Sequence, residues 1–136
     1  MVIASLIVRF ATIKNMKKYF VYSLQALLVI FFIAPGIMKL TGNPTMVETF
    51  ERFGYSIWFM YFIGVAEVAG ALGIAAGGYL NKMLPKLAVI GLNIIMVGAF
   101  VSHLIADDPF TATIPALVNL ALLNLYLHLL RKKEKV

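Results

Sequence analysis

Charged residues are confined to short stretches of the chain and leave four long apolar intervals between them. The only charge inside these intervals is Glu67. The intervals cover residues 19–38, 53–81, 87–106 and 109–130. At about 1.5 Å per residue, each is long enough to cross a hydrocarbon core about 30 Å thick as a helix. The alternation of apolar and polar residues that a membrane barrel needs is missing, and four strands would be too few to close one.

The pattern therefore predicts an all-α polytopic membrane protein, with four transmembrane helices in an antiparallel bundle and a short N-terminal interfacial helix. We expect a cytoplasmic amphipathic segment over residues 1–18, the bundle over 19–130 and a basic cytoplasmic tail over 131–136. The predicted spans are about 19–40, 56–78, 84–105 and 114–130.

Composition supports the membrane assignment and limits the kinds of reactive group that the chain can contain. Hydrophobic residues make up 62% of the 136 residues and charged residues 13%, against roughly 45–50% and about 25% in soluble domains. So few charges cannot coat a soluble globule of this size, and we expect the lipid bilayer to be the main partner. The chain contains no cysteine, which excludes disulfides, thiolate nucleophiles and cysteine-ligated metals on this polypeptide.

Lysine and arginine are distributed unequally between the two sides of the predicted bundle. The side without the termini carries only Lys39 and Arg52, together with four acidic residues. Because cytoplasmic loops are enriched in Lys and Arg, both termini are predicted to be cytoplasmic. This arrangement accounts for the net charge of +6, so we predict no nucleic-acid partner. Ten cations lie on the side of the termini: Arg9, Lys14, Lys17, Lys18, Lys82, Lys86, Arg131, Lys132, Lys133 and Lys135.

The first fifteen residues allow two interpretations. An apolar stripe at helical spacing, with Arg9 and Lys14 off it, is typical of an interfacial helix on the cytoplasmic face. Alternatively, translation begins at Met16, where Met-Lys-Lys resembles the start of a membrane protein. A signal peptide is disfavoured, because there is no cationic start and no small-residue cleavage site. The stripe consists of Ile3, Leu6, Ile7, Phe10 and Ile13.

Small residues and prolines predict how the helices pack and where they bend. Pro35-Gly36 lies near the outer end of the first span, where proline should kink or unwind the last turn before Lys39. The second span has small-xxx-small spacings, such as Ala66/Gly70, that allow close helix approach. We therefore expect the second span to be the packing centre of the bundle.

Polar side chains at membrane depth are costly, so they are the candidates for function. Glu67 lies near the middle of the second span, where a carboxyl group must be neutral or find a partner. Lys39 and His103 lie at the outer ends of the first and third spans, and the three together could line one cavity. Asn93 and Asn119 add hydrogen-bonding groups at intermediate depth. No catalytic residue and no metal site is predicted.

Structural roles compete with these functional ones. The structural alternative for Lys39 is an anchor of its helix at the membrane boundary, and that for His103 is an interfacial hydrogen-bonding group. Glu67 could join two helices by pairing with Lys39 or an asparagine. Tyr55 and the other aromatic residues at span ends are typical of an aromatic belt, and Asp107 and Asp108 of a solvated loop.

Four segments resemble the DoxX-like family of small four-helix membrane proteins. The shared features are Gly36 with Lys39 and Leu40, Gly54 with Tyr55, a glutamate among small residues (Glu67) and His103. Ser56 departs from the family, which often has proline after Gly-Tyr. The segments read PGIMKLTGNP (35–44), FGYSIW (53–58), FIGVAEVAGALGI (62–74) and VGAFVSHLIADD (97–108).

The resemblance implies a link to quinone-linked redox chemistry, because the founding member is similar to a subunit of a thiosulfate:quinone oxidoreductase. Other members act as accessory or chaperone-like partners. We expect either a subunit that binds a quinone or a similar apolar molecule, or a non-catalytic assembly subunit, and in both cases not a free-standing enzyme. No covalent cofactor is implied; a quinone or lipid is the expected bound molecule. Other membrane subunits or further copies of the chain are the expected protein partners, in the bacterial cytoplasmic (inner) membrane.

The predicted topology can be tested by single-cysteine labelling, since the chain has no native cysteine. Cysteines placed at Ser5, Asn43, Asn81 and Thr111 should react with an impermeant reagent in intact cells only at positions 43 and 111. Labelling at position 81 from outside would show that the orientation is the opposite of the predicted one.

Overall fold

The computed structural model describes residues 1–77 and 79–135, and every regular element in them is a helix. Four of the five helices are long and apolar enough to cross a membrane, which confirms the predicted helical membrane bundle. The remaining helix, α2, joins the first two spans. The helices are α1 (Val2–Leu40), α2 (Pro44–Arg52), α3 (Ile57–Ala75), α4 (Leu84–Ile105) and α5 (Phe110–Glu134).

The bounds of α3 and α5 differ from those of the predicted second and fourth spans. α3 ends at Ala75; residue 78, where the second span was predicted to end, lies outside the described residues. α5 begins at Phe110 and continues to Glu134, so it takes in most of the predicted basic tail. Residue 136 of that tail also lies outside the described residues.

The N-terminal segment and the first span form one continuous helix. α1 has 39 residues, which corresponds to about 58 Å, nearly twice the thickness of a hydrocarbon core. Residues 1–18 are helical, but they do not form the separate short interfacial helix that we predict from the sequence, since no glycine or proline precedes Pro35 and α1 continues without a break. The helix also continues through Pro35 to Leu40. Of the two effects that the sequence predicts for this proline, a kink or an unwound last turn, unwinding does not occur.

The four long helices form a closed ring. α1 packs against α3, α3 against α4, α4 against α5, and α5 against α1. The interior is apolar, with Leu28, Phe32, Ile74 and Leu123 fully buried. The outer surface is also apolar, as lipid contact requires, and its large exposed side chains include Trp58, Phe62, Ile94 and Ile105.

The bundle has two chemically different ends. Lys86 Nζ lies 2.6 Å from a carboxylate oxygen of Glu134, which places the start of α4 beside the end of α5. We call this end, which also carries Lys82 and the N-terminal half of α1, the basic end. The opposite end carries α2, Asp107 and Asp108, and we call it the acidic end.

Helices at the acidic end finish in left-handed turns. Gly42 after α1 and Gly54 after α2 have φ of 64° and 77°, a conformation that glycine adopts without steric cost. After α4 the same position is Asp107, with φ of 55°; aspartate is one of the few other residues that tolerate it. These turns reverse the chain sharply. α2 then starts from Asn43, whose side chain accepts a hydrogen bond from the Thr45 N–H, a favourable N-cap.

α3 contacts three other helices, two of them through small residues. A Cβ atom at Gly64 would lie 3.0 Å from the Gly36 carbonyl oxygen of α1. One at Gly70 would lie 2.7 Å from Leu92 of α4, and one at Gly73 would lie 2.9 Å from Ala88 of the same helix. α3 also packs against α2. Small side chains on α3 therefore set how closely α1 and α4 approach it.

The close contact at Gly64 predicts a position-specific cost for a larger side chain. Gly64→Leu should destabilise the bundle by about 1–3 kcal/mol, because the added atoms meet backbone that cannot rotate away. We expect lower stability in thermal or dodecyl-sulfate unfolding of the purified protein, followed by circular dichroism.

The matched control is Gly91→Leu on α4, since a Cβ atom there would meet no atom within 4 Å. Gly91→Leu should leave the stability of the bundle unchanged, or raise it by up to about 1 kcal/mol because leucine has a higher helix propensity than glycine. Equal effects of the two substitutions would contradict the close approach of α1 and α3.

Candidate functional site

Lys39 and Glu67 form a buried ion pair between α1 and α3. Lys39 Nζ donates a hydrogen bond to Glu67 Oε2 at 2.8 Å. The two residues are only 7% and 2% exposed. Of the two predicted states of Glu67, neutral or paired, the structure has the paired geometry.

Two glycines bring these side chains together. Gly36 precedes Lys39 by three residues on α1, and Gly64 precedes Glu67 by three residues on α3. A Cβ atom at Gly36 would lie 3.3 Å from Glu67 Cβ, and one at Gly64 would lie 3.0 Å from Lys39 Cβ. Each glycine thus makes room for the charged residue of the opposite helix. We call this reciprocal arrangement the Gly–Lys/Gly–Glu crossing.

The crossing determines what Glu67 can do. Removing a carboxylate or an ammonium group from water is costly unless an opposite charge and a hydrogen bond compensate for it. Lys39 supplies both to Glu67, and the two formal charges cancel inside the bundle. The arrangement joins α1 to α3 by a hydrogen-bonded pair of opposite charges.

His103 belongs to a different cluster, at the acidic end. The left-handed turn at Asp107 carries the chain back so that the Asp108 N–H donates to the His103 carbonyl oxygen at 3.0 Å. The same turn places Asp108 Oδ2 2.6 Å from His103 Nδ1. Asp108 also contacts the guanidinium group of Arg52, at the end of α2.

The charges around Asp108 favour its ionised form. Hydrogen bonds from Arg52, and secondly from His103, hold the pKa of the Asp108 carboxyl below its ordinary value. An ionised carboxylate only accepts hydrogen bonds, so Nδ1 of His103 carries the proton in this contact. The side chain of Asp108 is only 10% exposed. The prediction that Asp107 and Asp108 form a simple solvated loop is therefore wrong for Asp108.

Aromatic and hydroxyl groups surround this acidic-end cluster. The ring of Phe53 meets the His103 ring edge-on, with centroids 5.0 Å apart. Ser102 Oγ donates to the Gly98 carbonyl oxygen at 2.8 Å, so the Tyr55 hydroxyl, 2.9 Å from Ser102 Oγ, is the donor in that contact. Tyr55 therefore lies at the end of a span, as a residue of an aromatic belt does, and also donates a hydrogen bond to α4. A cleft of about 110 Å³ lies among Phe53, Tyr55 and Ser102. It is smaller than the roughly 300–1,000 Å³ of most ligand pockets.

The two asparagine candidates lie between α4 and α5, apart from both clusters. Asn93 Oδ1 accepts from Asn124 Nδ2 at 3.1 Å, which links the two helices. Asn119 Nδ2 lies 3.8 Å from the sulfur of Met96, a weak acceptor. Asn119 Oδ1 is buried and has no hydrogen-bond partner among the described residues.

The five predicted site residues thus fall into separate groups. Lys39 and Glu67 meet each other, His103 meets Asp108, and Asn93 and Asn119 bond within the α4–α5 pair. In the described parts of the chain, no three histidine, aspartate or glutamate side chains are grouped closely enough to hold a metal ion. Sequence reasoning missed Asp108 and Arg52, which are 56 residues apart. The sequence signal for this cluster was the end of the apolar interval 87–106, just after His103, followed by a turn.

Removing one member of the buried pair should cost far more than removing both. Glu67→Leu or Lys39→Met alone should destabilise the bundle by about 3–5 kcal/mol, because an uncompensated charge stays buried. The double variant Lys39→Met/Glu67→Leu should recover most of this loss. Chemical or thermal unfolding of the four proteins in detergent completes the double-mutant cycle.

Lys86→Met is the matched control, because it removes a lysine from the more exposed pair with Glu134. Its cost should be about 0–1 kcal/mol. Additive effects of Lys39→Met and Glu67→Leu would contradict a direct interaction between the two side chains.

Comparison with known proteins assigns the chain to a family. The DoxX-like family matches residues 23–125, which is most of the chain and begins inside α1, beyond its exposed N-terminal part. The uncharacterized protein YdgD of Bacillus subtilis (strain 168) is 34% identical over 77 residues, covering 57% of this chain and 67% of that protein. No solved structure matches the chain. The family match and the four apolar helices show that this chain is an integral membrane protein belonging to the DoxX-like family.

Proposed function

We propose that this chain is an accessory integral membrane subunit associated with quinone-linked redox chemistry. In this proposal it holds a place in a larger complex, and a partner subunit supplies the flavin, metal or haem that carries electrons. The complex lies in the bacterial cytoplasmic membrane, with both termini of this chain in the cytoplasm.

The observation that carries the proposal is the buried bond between Lys39 and Glu67, at 2.8 Å. A proton relay needs a titrating group that meets its substrate, whereas Glu67 is 2% exposed and its charge is matched by Lys39. The pair is better suited to holding α1 against α3 than to exchanging protons with a ligand. His103 is likewise engaged, by Asp108. These contacts support a packing role for the polar residues.

Charge distribution supports the proposed orientation. The basic end carries the start of α1, Lys82, Lys86 and the cations that follow Leu130. Cytoplasmic loops carry an excess of Lys and Arg, so we assign the basic end to the cytoplasm. α2, with Glu48 and Glu51, then lies on the outer side.

One observation favours a second candidate, a subunit that binds a quinone within the bundle. Asn119 Oδ1 is buried without a hydrogen-bond partner among the described residues, and such an oxygen could accept a bond from the hydroxyl group of a quinol. In this alternative, Glu67 and His103 handle the protons.

Quinone-dependent dye reduction separates the two candidates. We expect no turnover by the isolated chain in liposomes, and turnover by the complex that co-purifies with it. Activity of the complex should persist in His103→Ala and in the double variant Lys39→Met/Glu67→Leu, which removes both buried charges together. Asn119→Leu should also be tolerated.

Three results would contradict the accessory role. They are turnover by the bare chain, absence of any redox-active complex containing it, and loss of turnover in the variants while assembly is intact. The last result would instead establish the quinone-binding candidate. Assembly is checked by size-exclusion chromatography of each variant complex, so that loss of the subunit is not mistaken for loss of chemistry.

A further inference from the structure

An apolar groove lies between α1 and the end of α3, at the basic end. Its volume is about 430 Å³, within the range of ligand pockets, and it is far larger than the cleft at the acidic end. Its walls are on the outside of the bundle: Ile30 is 61% exposed and Tyr79 is 84% exposed. The lining residues are Tyr22, Gln25, Ala26, Val29, Ile30, Ala75 and Tyr79.

The groove exists because small residues meet where α3 ends. Ala26 on α1 and Ala75 on α3 leave the space between the two helices unfilled. Gln25 fixes the helices at this level, since its Nε2 donates to the Ile74 carbonyl oxygen at 2.6 Å. The same carbonyl oxygen also accepts a hydrogen bond from the Gly77 N–H at 3.0 Å, so Gln25 adds a second bond at the end of α3 and ties it to α1.

The groove has an apolar end and a polar end. Val29 and Ile30 line it toward the middle of the bundle, and Tyr22 and Tyr79 line it at the basic end. Tyrosine is enriched at the level of lipid headgroups, where its ring is in the apolar phase and its hydroxyl in the polar phase. A molecule with an apolar chain and a polar headgroup fits this gradient.

Positive charge lies at the polar end. Lys18 Nζ is 5.8 Å from the centroid of the Tyr22 ring, and Lys14 is one helical turn before Lys18. Lys82 follows Tyr79 by three residues in the α3–α4 connection. α1 contains no acidic residue along its whole length, so an anion here would meet no repulsion from that helix.

We propose that this groove binds an anionic glycerophospholipid of the surrounding bilayer. One acyl chain lies along Val29 and Ile30, and the phosphate group is held near Lys18, with Tyr22 and Tyr79 at the interface. This site is independent of the proposed accessory role, because it uses none of the residues placed in the two polar clusters. A neutral quinone would occupy the apolar part of the groove but would gain nothing from the lysines.

Native mass spectrometry of the purified full-length chain tests the charge requirement. The chain is incubated in detergent with phosphatidylglycerol or phosphatidylcholine carrying identical acyl chains, and retained lipid is counted. We expect phosphatidylglycerol to be retained more strongly, and Lys18→Gln to reduce its apparent affinity about fivefold, the effect of one lysine at a membrane surface.

Lys17→Gln is the matched control for charge. Lys17 is adjacent to Lys18 and also exposed, but it lies about 100° around the helix and away from the groove face. It should leave phosphatidylglycerol retention nearly unchanged. Equal losses in the two variants would show nonspecific attraction to the basic end and would overturn the site.

A second pair of variants tests the groove itself. Ala26→Leu fills it and should reduce retention of both lipids, whereas Ala121→Leu, at an exposed position of α5, should have no effect. The proposal is overturned if the two lipids are retained equally by the unmodified chain. It is also overturned if Ala26→Leu binds phosphatidylglycerol as tightly as the unmodified chain does, which would place the lipid elsewhere.

Discussion

The Gly–Lys/Gly–Glu crossing is the constraint on which the rest of the bundle depends. Two glycines let α1 and α3 approach until each helix contacts the charged residue of the other. The ion pair then offsets part of the electrostatic penalty of placing two charges among apolar side chains. Packing and charge are therefore coupled, because a wider separation of the helices would leave both Lys39 and Glu67 unpaired.

The crossing also shapes the functional interpretation. In many proteins a carboxyl group at membrane depth marks a pathway for protons or ions, and Glu67 taken alone fits that description. Its pairing with Lys39 argues against such a pathway, since Lys39 occupies the position that a ligand or a second carboxyl group would need. The acidic end follows the same rule: His103 is bonded to Asp108, and Asp108 is shared with Arg52. Both clusters therefore join helices within the bundle.

The two ends of the molecule consequently differ in kind. At the acidic end, short left-handed turns and a hydrogen-bonded network lie beside α2, with a cleft of about 110 Å³ next to Tyr55 and Ser102. At the basic end, α1 extends far beyond α3, and a groove remains between them with lysines at its mouth. The family match begins at residue 23, so most of the exposed part of α1 lies outside the region shared with the family.

Much of the architecture was determined by the sequence alone. Four apolar intervals long enough to span a bilayer predict the helices, and the small residues of the second interval predict that α3 is the packing centre. These features depend on neighbouring residues along the chain, which is why periodicity reveals them. The pairing of polar groups depended on tertiary structure. Whether Glu67 meets Lys39 or an asparagine is decided by which helix faces meet, and Arg52 finds Asp108 only once α2 and the α4–α5 turn lie side by side. The continuity of α1 through Pro35 was likewise decided in the folded bundle, where packing against α3 outweighs the local cost of proline.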